Sequence, residues 1–169
     1  LPHTGIYEYD PVSPQISVEE LRRRAPDVNR RLLAKKEPGE FWRECVQTAE
    51  ADAEKLKMVE TPVHGDGLIA ERFGVQQSGK VRPIDNYRSN DLNLATAPSD
   101  VLKQETTELL LIIAAWWRDV IGIDAKLAKE DVEGAYRYVP ISSEHLDLFK
   151  IFVTTPTGPR AWDQWGFPF

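Results

Sequence analysis

Leu68-Ile69-Ala70-Glu71-Arg72-Phe73-Gly74-Val75-Gln76-Gln77-Ser78-Gly79-Lys80-Val81-Arg82-Pro83-Ile84-Asp85 admits two readings, and the fold follows from the choice between them. Gly74 to Lys80 spells G-x-x-x-x-G-K, the spacing of a phosphate-cradling loop that joins a strand to a helix. Such a loop needs a Ser or Thr hydroxyl after the lysine, and Val81 stands there. Arg82-Pro83 follows where the helix would begin, among residues that favour extended backbone. The other reading is a hairpin. Leu68 to Gln76 forms a strand with Ile69, Phe73 and Val75 on one face, Gln77-Ser78-Gly79 turns, and Val81 to Ile84 returns. Pro83 has no N–H for a ladder, which places the returning strand near a sheet edge. The hairpin reading is adopted, and with it an α+β chain.

Working outward towards the N-terminus, residues 61–67 hold Pro62, Gly65 and Gly67 and read as a loop. Before them, Glu40 to Lys57 is expected to be a helix with Phe41, Cys45, Ala49, Ala53 and Leu56 on one face. Ser17 opens an earlier helix. Ser17 and Glu20 have capping-box spacing, and Ile16 with Leu21 forms the hydrophobic staple. Pro26 is expected to interrupt that helix, leaving a second, basic segment from Asp27 to Lys36 that Pro38 and Gly39 end. Arg22, Arg23, Arg24, Arg30 and Arg31 make a candidate phosphate-binding stripe, with a solvated face as the plainer reading. Residues 1–15 are proline-rich, without period, and read as an extended arm.

Towards the C-terminus, residues 85–99 are a polar connection. A helix is expected from Asp100 to Ile121, with Gly122 as its stop. Its run Leu109 to Trp117 is apolar on every side, which predicts burial on most faces, with Trp116 and Trp117 in a core. Val139-Pro140-Ile141 reads as extended and Ser142 to Asp147 as a short turn or helix. Leu148 to Thr154 alternates as a strand, Pro156 to Pro159 turns, and Arg160 to Trp165 pairs back.

A net charge of −6 argues against nonspecific nucleic-acid binding by the chain as a whole, while leaving local basic patches open. One cysteine, Cys45, excludes an internal disulfide framework and fits a reducing compartment. The sequence shows no signal peptide and no membrane-spanning run, so an intracellular protein of cytoplasm or nucleus is expected rather than a secreted one.

The chemistry concentrates in Asp131-Val132-Glu133-Gly134-Ala135-Tyr136. An aspartate followed by small residues and then a bulky ring suits a metal-holding carboxylate beside a crowded pocket; the plainer reading is a helix cap. Three signals stand in order. They are Gly79 to Arg88 closing with Leu92-Asn93, then Asp131 to Tyr136 followed by Val139-Pro140-Ile141, then Trp165-Gly166-Phe167-Pro168-Phe169 after a strand pair. As a set they resemble the fingers and early palm of reverse transcriptases from retroelements, over residues 68–169.

The resemblance implies an RNA-directed DNA polymerase that adds deoxynucleotides to a DNA primer on an RNA template by a two-metal mechanism. By that likeness Asp131 is the first catalytic aspartate. Asp131 and the main-chain carbonyl of Val132 hold Mg²⁺, with Mn²⁺ as a substitute. Lys80 and Arg82 grip the triphosphate, Arg88 touches the template strand, Tyr136 gates the sugar, and Phe169 lines the nucleotide pocket. The family's second catalytic motif, an aromatic residue followed by two aspartates, does not occur in the chain. The segment alone is therefore expected to be inactive and to work with the remaining palm and thumb of the same polypeptide. The implied division is a helical region over 1–60, a hairpin and buried helix over 61–123, and the start of a palm over 124–169. The alternative is a non-catalytic, polymerase-derived nucleic-acid-binding or scaffold domain that binds through Arg22 to Lys36.

Overall fold

A computed structural model describes residues 13–34, 37–97, 107–124, 126 and 139–166. They fall into two compact units, one holding residues 13–34, 37–97 and 139–166 and the other residues 107–124 and 126.

The larger unit is mixed α+β. Helix α1 (Val18–Leu33) and helix α2 (Trp42–Glu54) precede strands β1 (Met58–Thr61), β2 (Ile69–Gln77) and β3 (Lys80–Asp85). Strands β4 (Lys150–Thr155) and β5 (Gly158–Gln164) complete one five-stranded sheet of order β1-β5-β4-β2-β3. All neighbours are antiparallel except β2 and β4, which run parallel from Ile69↔Lys150 to Glu71↔Phe152.

The two helices cover opposite faces of the sheet. Cys45, Val46 and Ala49 of α2 pack on Met58, Ile151, Val153 and Trp162. Leu32 and Leu33 of α1 pack on Ile69, Phe152 and Ala161, while Leu21, Ala25 and Val28 close over Leu68, Leu92 and Leu148. Strand β4 is buried along its whole length because both faces are covered.

The expected start of α1 is found. Ser17 accepts a hydrogen bond from the Glu20 N–H at 3.1 Å, and Ile16 joins the cluster that holds Leu21. Pro26, however, does not interrupt the helix, which runs from Val18 to Leu33 through it. Pro26 lies on the exposed side of the helix. The buried stripe Leu21, Ala25 and Val28, with the partly buried Leu32, continues unbroken past it. Helix α2 is shorter than expected. It ends at Glu54, and Leu56, assigned from the sequence to the buried face, turns to φ +56° and is 74% exposed.

The hairpin reading holds. Gln77 pairs with Lys80 across a two-residue turn whose members, Ser78 and Gly79, both have positive φ (52° and 77°). That geometry matches the twist of the flanking strands, and glycine adopts it without strain. A strand rather than a helix follows Lys80, and β3 is an edge, as Pro83 requires. The second hairpin, β4 to β5, is also as expected. Ser143–Leu148 is a 3₁₀ turn, and Pro140 bridges Gly166.

In the smaller unit, helix α3 (Thr107–Trp116) continues as a wider turn through Ile121, and Gly122 stops it at φ +74°. The burial expected of its apolar run is not found among the described residues. Leu111 and Ile112 are exposed, as are Trp116 and Trp117. The described part of this unit is the helix itself, with no second element to lie against.

Candidate functional site

The β2–β3 hairpin positions two of the residues singled out from the sequence. Side chains alternate along a strand, so Lys80, Arg82 and Ile84 share one face of β3, and all three are exposed. Across the register they face Gln77, Val75 and Phe73. The opposite face carries Val81, Pro83 and Asp85 and turns towards the start of α2. A Cβ placed on Gly74 would come within 2.5 Å of the Phe41 Cβ and 2.8 Å of the Val81 Cγ1. Only glycine lets the strand sit this close to Phe41. Among the described residues no hydrogen bond or ion pair engages the Lys80 or Arg82 side chain.

The base of the hairpin holds a group that sequence reading missed. Arg72 of β2 and Asp85 of β3 are directly opposite each other, with side chains 0% and 6% exposed. Arg72 donates from Nε to Asp85 Oδ1 at 2.6 Å and from Nη2 to Oδ2 at 2.9 Å. Gln164 of β5 reaches Asp85 Oδ2 from its Nε2 at 2.9 Å. Burial works against the Arg72 charge, but the Asp85 carboxylate, helped by Asp52 and Tyr87, outweighs it and raises the guanidinium pKa. Arg72 Nη1 is buried with no hydrogen-bond partner among the described residues. The signal was present in the sequence. Counting outward from the Ser78-Gly79 turn, residue by residue, sets Arg72 against Asp85.

Arg88 stands on the loop after β3, which is strapped down along its length. The Asn86 N–H donates to the Glu71 carbonyl at 2.9 Å, and the fully buried Asn90 donates from Nδ2 to the Ile69 carbonyl at 3.0 Å. Ser89 bonds back to Asn86, Arg31 of α1 donates to the Ser89 carbonyl at 3.0 Å, and the Tyr87 ring lies 5.7 Å from that of Phe149. These residues brace the loop. The Arg88 side chain is exposed and engages none of the described residues.

The stripe on α1 is arranged differently. Arg22 grips Asp147 through Nε at 2.8 Å and Nη2 at 3.0 Å and also donates to the Glu144 carbonyl. Arg23 and Arg24 both bond Glu20, and Arg30 bonds Asp27. The Arg22 guanidinium holds the Asp147 carboxyl below its usual range.

Asp131, Val132, Tyr136 and Phe169 lie outside the described residues. Among the described residues no three His, Cys, Asp or Glu side chains gather as a metal site would require, and no helix is long and apolar enough to cross a membrane. No family model matches the chain, and no curated protein or solved structure matches it.

Proposed function

We propose that this chain is the fingers and early palm of an RNA-directed DNA polymerase, with the β2–β3 hairpin as its grip on the incoming nucleotide. The observation that carries the reading is the pair of exposed, unengaged cations Lys80 and Arg82. They sit side by side on an edge strand of fixed register, followed by a braced loop presenting Arg88. The order of these residues ahead of Asp131 is the order of the reverse transcriptases that the sequence resembles.

In the reaction the primer 3′-oxygen bonds to the α-phosphorus of a deoxynucleoside triphosphate, and the bond from that phosphorus to the β-phosphate bridge breaks to release pyrophosphate. Lys80 and Arg82 neutralise the β- and γ-phosphates and stabilise the charge that builds on the leaving pyrophosphate. Arg88 binds the template backbone. Asp131 and the Val132 carbonyl are hard oxygen donors of the kind Mg²⁺ takes, and the ion when bound supplies charge for the attacking and leaving oxygens. Tyr136 excludes a ribose 2′-hydroxyl by bulk, and Phe169 lines the same pocket.

The test is primer extension by the polypeptide that carries this segment. Asp131→Asn should abolish synthesis while leaving the circular dichroism unchanged, and Tyr136→Ala should admit ribonucleotides. Full activity in Asp131→Asn would remove the polymerase reading, and unchanged sugar selection in Tyr136→Ala would remove the gate.

A further inference from the structure

The buried Arg72–Asp85 pair is not explained by stability. Two charges have been taken out of water, and the guanidinium Nη1, with its two N–H groups, is left without an acceptor among the described residues. A well-packed apolar pair of the same volume is often as stable or more so. What the charged pair adds is selectivity between registers. Strand side chains alternate, so a slip of one residue would carry Lys80 and Arg82 to the face that meets Phe41 and would turn Asp85 outward. The slip would also set Arg72 opposite Ile84 or Asn86, leaving a buried cation without its carboxylate. An apolar pair would resist the slip far less, because Pro83 and Ile84 are apolar too.

Neighbouring contacts agree with this role. Gln164 comes from a strand on the far side of β4 and adds a further hydrogen bond to Asp85, tying the base of the hairpin to the middle of the sheet. From Val75 to Lys80 the hairpin is exposed and has no comparable anchor of its own.

We infer that Arg72 and Asp85, completed by Gln164, form a register lock that fixes which face of β3 presents Lys80 and Arg82. Asp85 is thereby a positioning residue for phosphate binding. The lock stands on the geometry alone; its consequence for triphosphate rests on the function proposed above.

Directly opposed residues on antiparallel strands lie about 4.5–5.5 Å apart at Cα, within disulfide reach. Phe73→Cys with Ile84→Cys therefore reports the register, since these positions are paired in the structure. The experiment compares disulfide yield, melting temperature and deoxynucleoside triphosphate affinity in this background, with and without Arg72→Met plus Asp85→Leu. The expected result is efficient cross-linking with the native pair. With the apolar pair, yield should fall at least about threefold, affinity should weaken about tenfold, and melting should stay within about 5 °C. Should the double variant not fold, Asp85→Asn, of the same shape but uncharged, carries the same readout. Unchanged disulfide yield in the folded variant, whatever its melting temperature, would overturn the lock, as would absence of the cross-link with Arg72 and Asp85 in place. If the yield falls but the parent protein binds no triphosphate, the lock stands and the polymerase reading fails.

Discussion

Helix α1 and the β2–β3 hairpin carry comparable positive charge, and the structure treats the two differently. On α1, Arg22, Arg23, Arg24 and Arg30 each hold a carboxylate, and Arg31 holds a loop carbonyl. On the hairpin and its following loop, Lys80, Arg82 and Arg88 stand exposed with no partner among the described residues. The helix has the denser basic sequence, yet three carboxylates, Asp147, Asp27 and the Glu20 that Arg23 and Arg24 share, already offset most of its charge. An incoming phosphate meets arginines already held by other groups there and unengaged cations at the hairpin. Counting basic residues would have chosen α1; asking which cations remain open chooses the hairpin.

The sharpest way to break this contrast is at the hairpin. Lys80→Ala with Arg82→Ala should weaken triphosphate binding at least about 100-fold, taking each charge-assisted bond at the low end of its range, ~1.5 kcal/mol, with little change in melting temperature. Equal affinity in a calorimetric titration would show that these cations do not hold phosphate. Next comes Arg22→Met, which breaks the link between α1 and the 3₁₀ turn. Because both side chains are more than a third exposed, the expected loss is about 1 kcal/mol or less of unfolding free energy, read by urea denaturation, with triphosphate affinity unchanged.

A smaller effect is expected on acidification. Arg22 holds the Asp147 pKa down, so the pair's stabilisation is present above the ordinary aspartate range of ~3.9 and is lost as pH falls through the lowered native value. Glu60, held down by Arg160, behaves in the same way. Wild type should therefore begin to lose its stability advantage over Arg22→Met below about pH 4 and go on losing it as pH falls through the lowered native value; an advantage that did not shrink at all on acidification would mean the pair is not its source. The smallest change is predicted for Arg30→Ala with Arg31→Ala. Salt-sensitive RNA or DNA binding should shift by less than about twofold. Loss of binding in this variant, with Asp131→Asn silent, would instead favour a non-catalytic binding domain acting through α1.

Local features of this fold could be read from local sequence. The Ser17 cap, the Ser78-Gly79 turn, the edge strand marked by Pro83 and the Gly122 stop each depend on a few adjacent residues. Two kinds of feature could not be read that way. Strand β1 is four residues long and is a strand because β5, about a hundred residues on, pairs with it. The parallel contact between β2 and β4 likewise joins distant segments. Pro26 misled because its effect depends on which side of the helix faces water, and that is set by the tertiary packing of Leu21, Ala25 and Val28. Arg72 was passed over because an arginine in a strand ordinarily points to solvent; its burial makes sense only once Asp85 is known to lie opposite. Of the residues assigned roles by resemblance, the described structure places Lys80, Arg82 and Arg88.

The chain's single cysteine has a practical consequence. Cys45 is buried against β1, β4 and β5, and desolvation pushes its pKa up to about 11, with Asp85 and Glu44 adding to the shift against the pull of Arg72. Alkylating reagents attack the thiolate, which at neutral pH is almost absent here and shielded besides. The folded protein is thus chemically blank to maleimides without any mutation. A cysteine introduced at Lys80 or Arg88 could take a fluorophore or spin label selectively, giving a direct optical or magnetic report on whether nucleotide and template approach the hairpin.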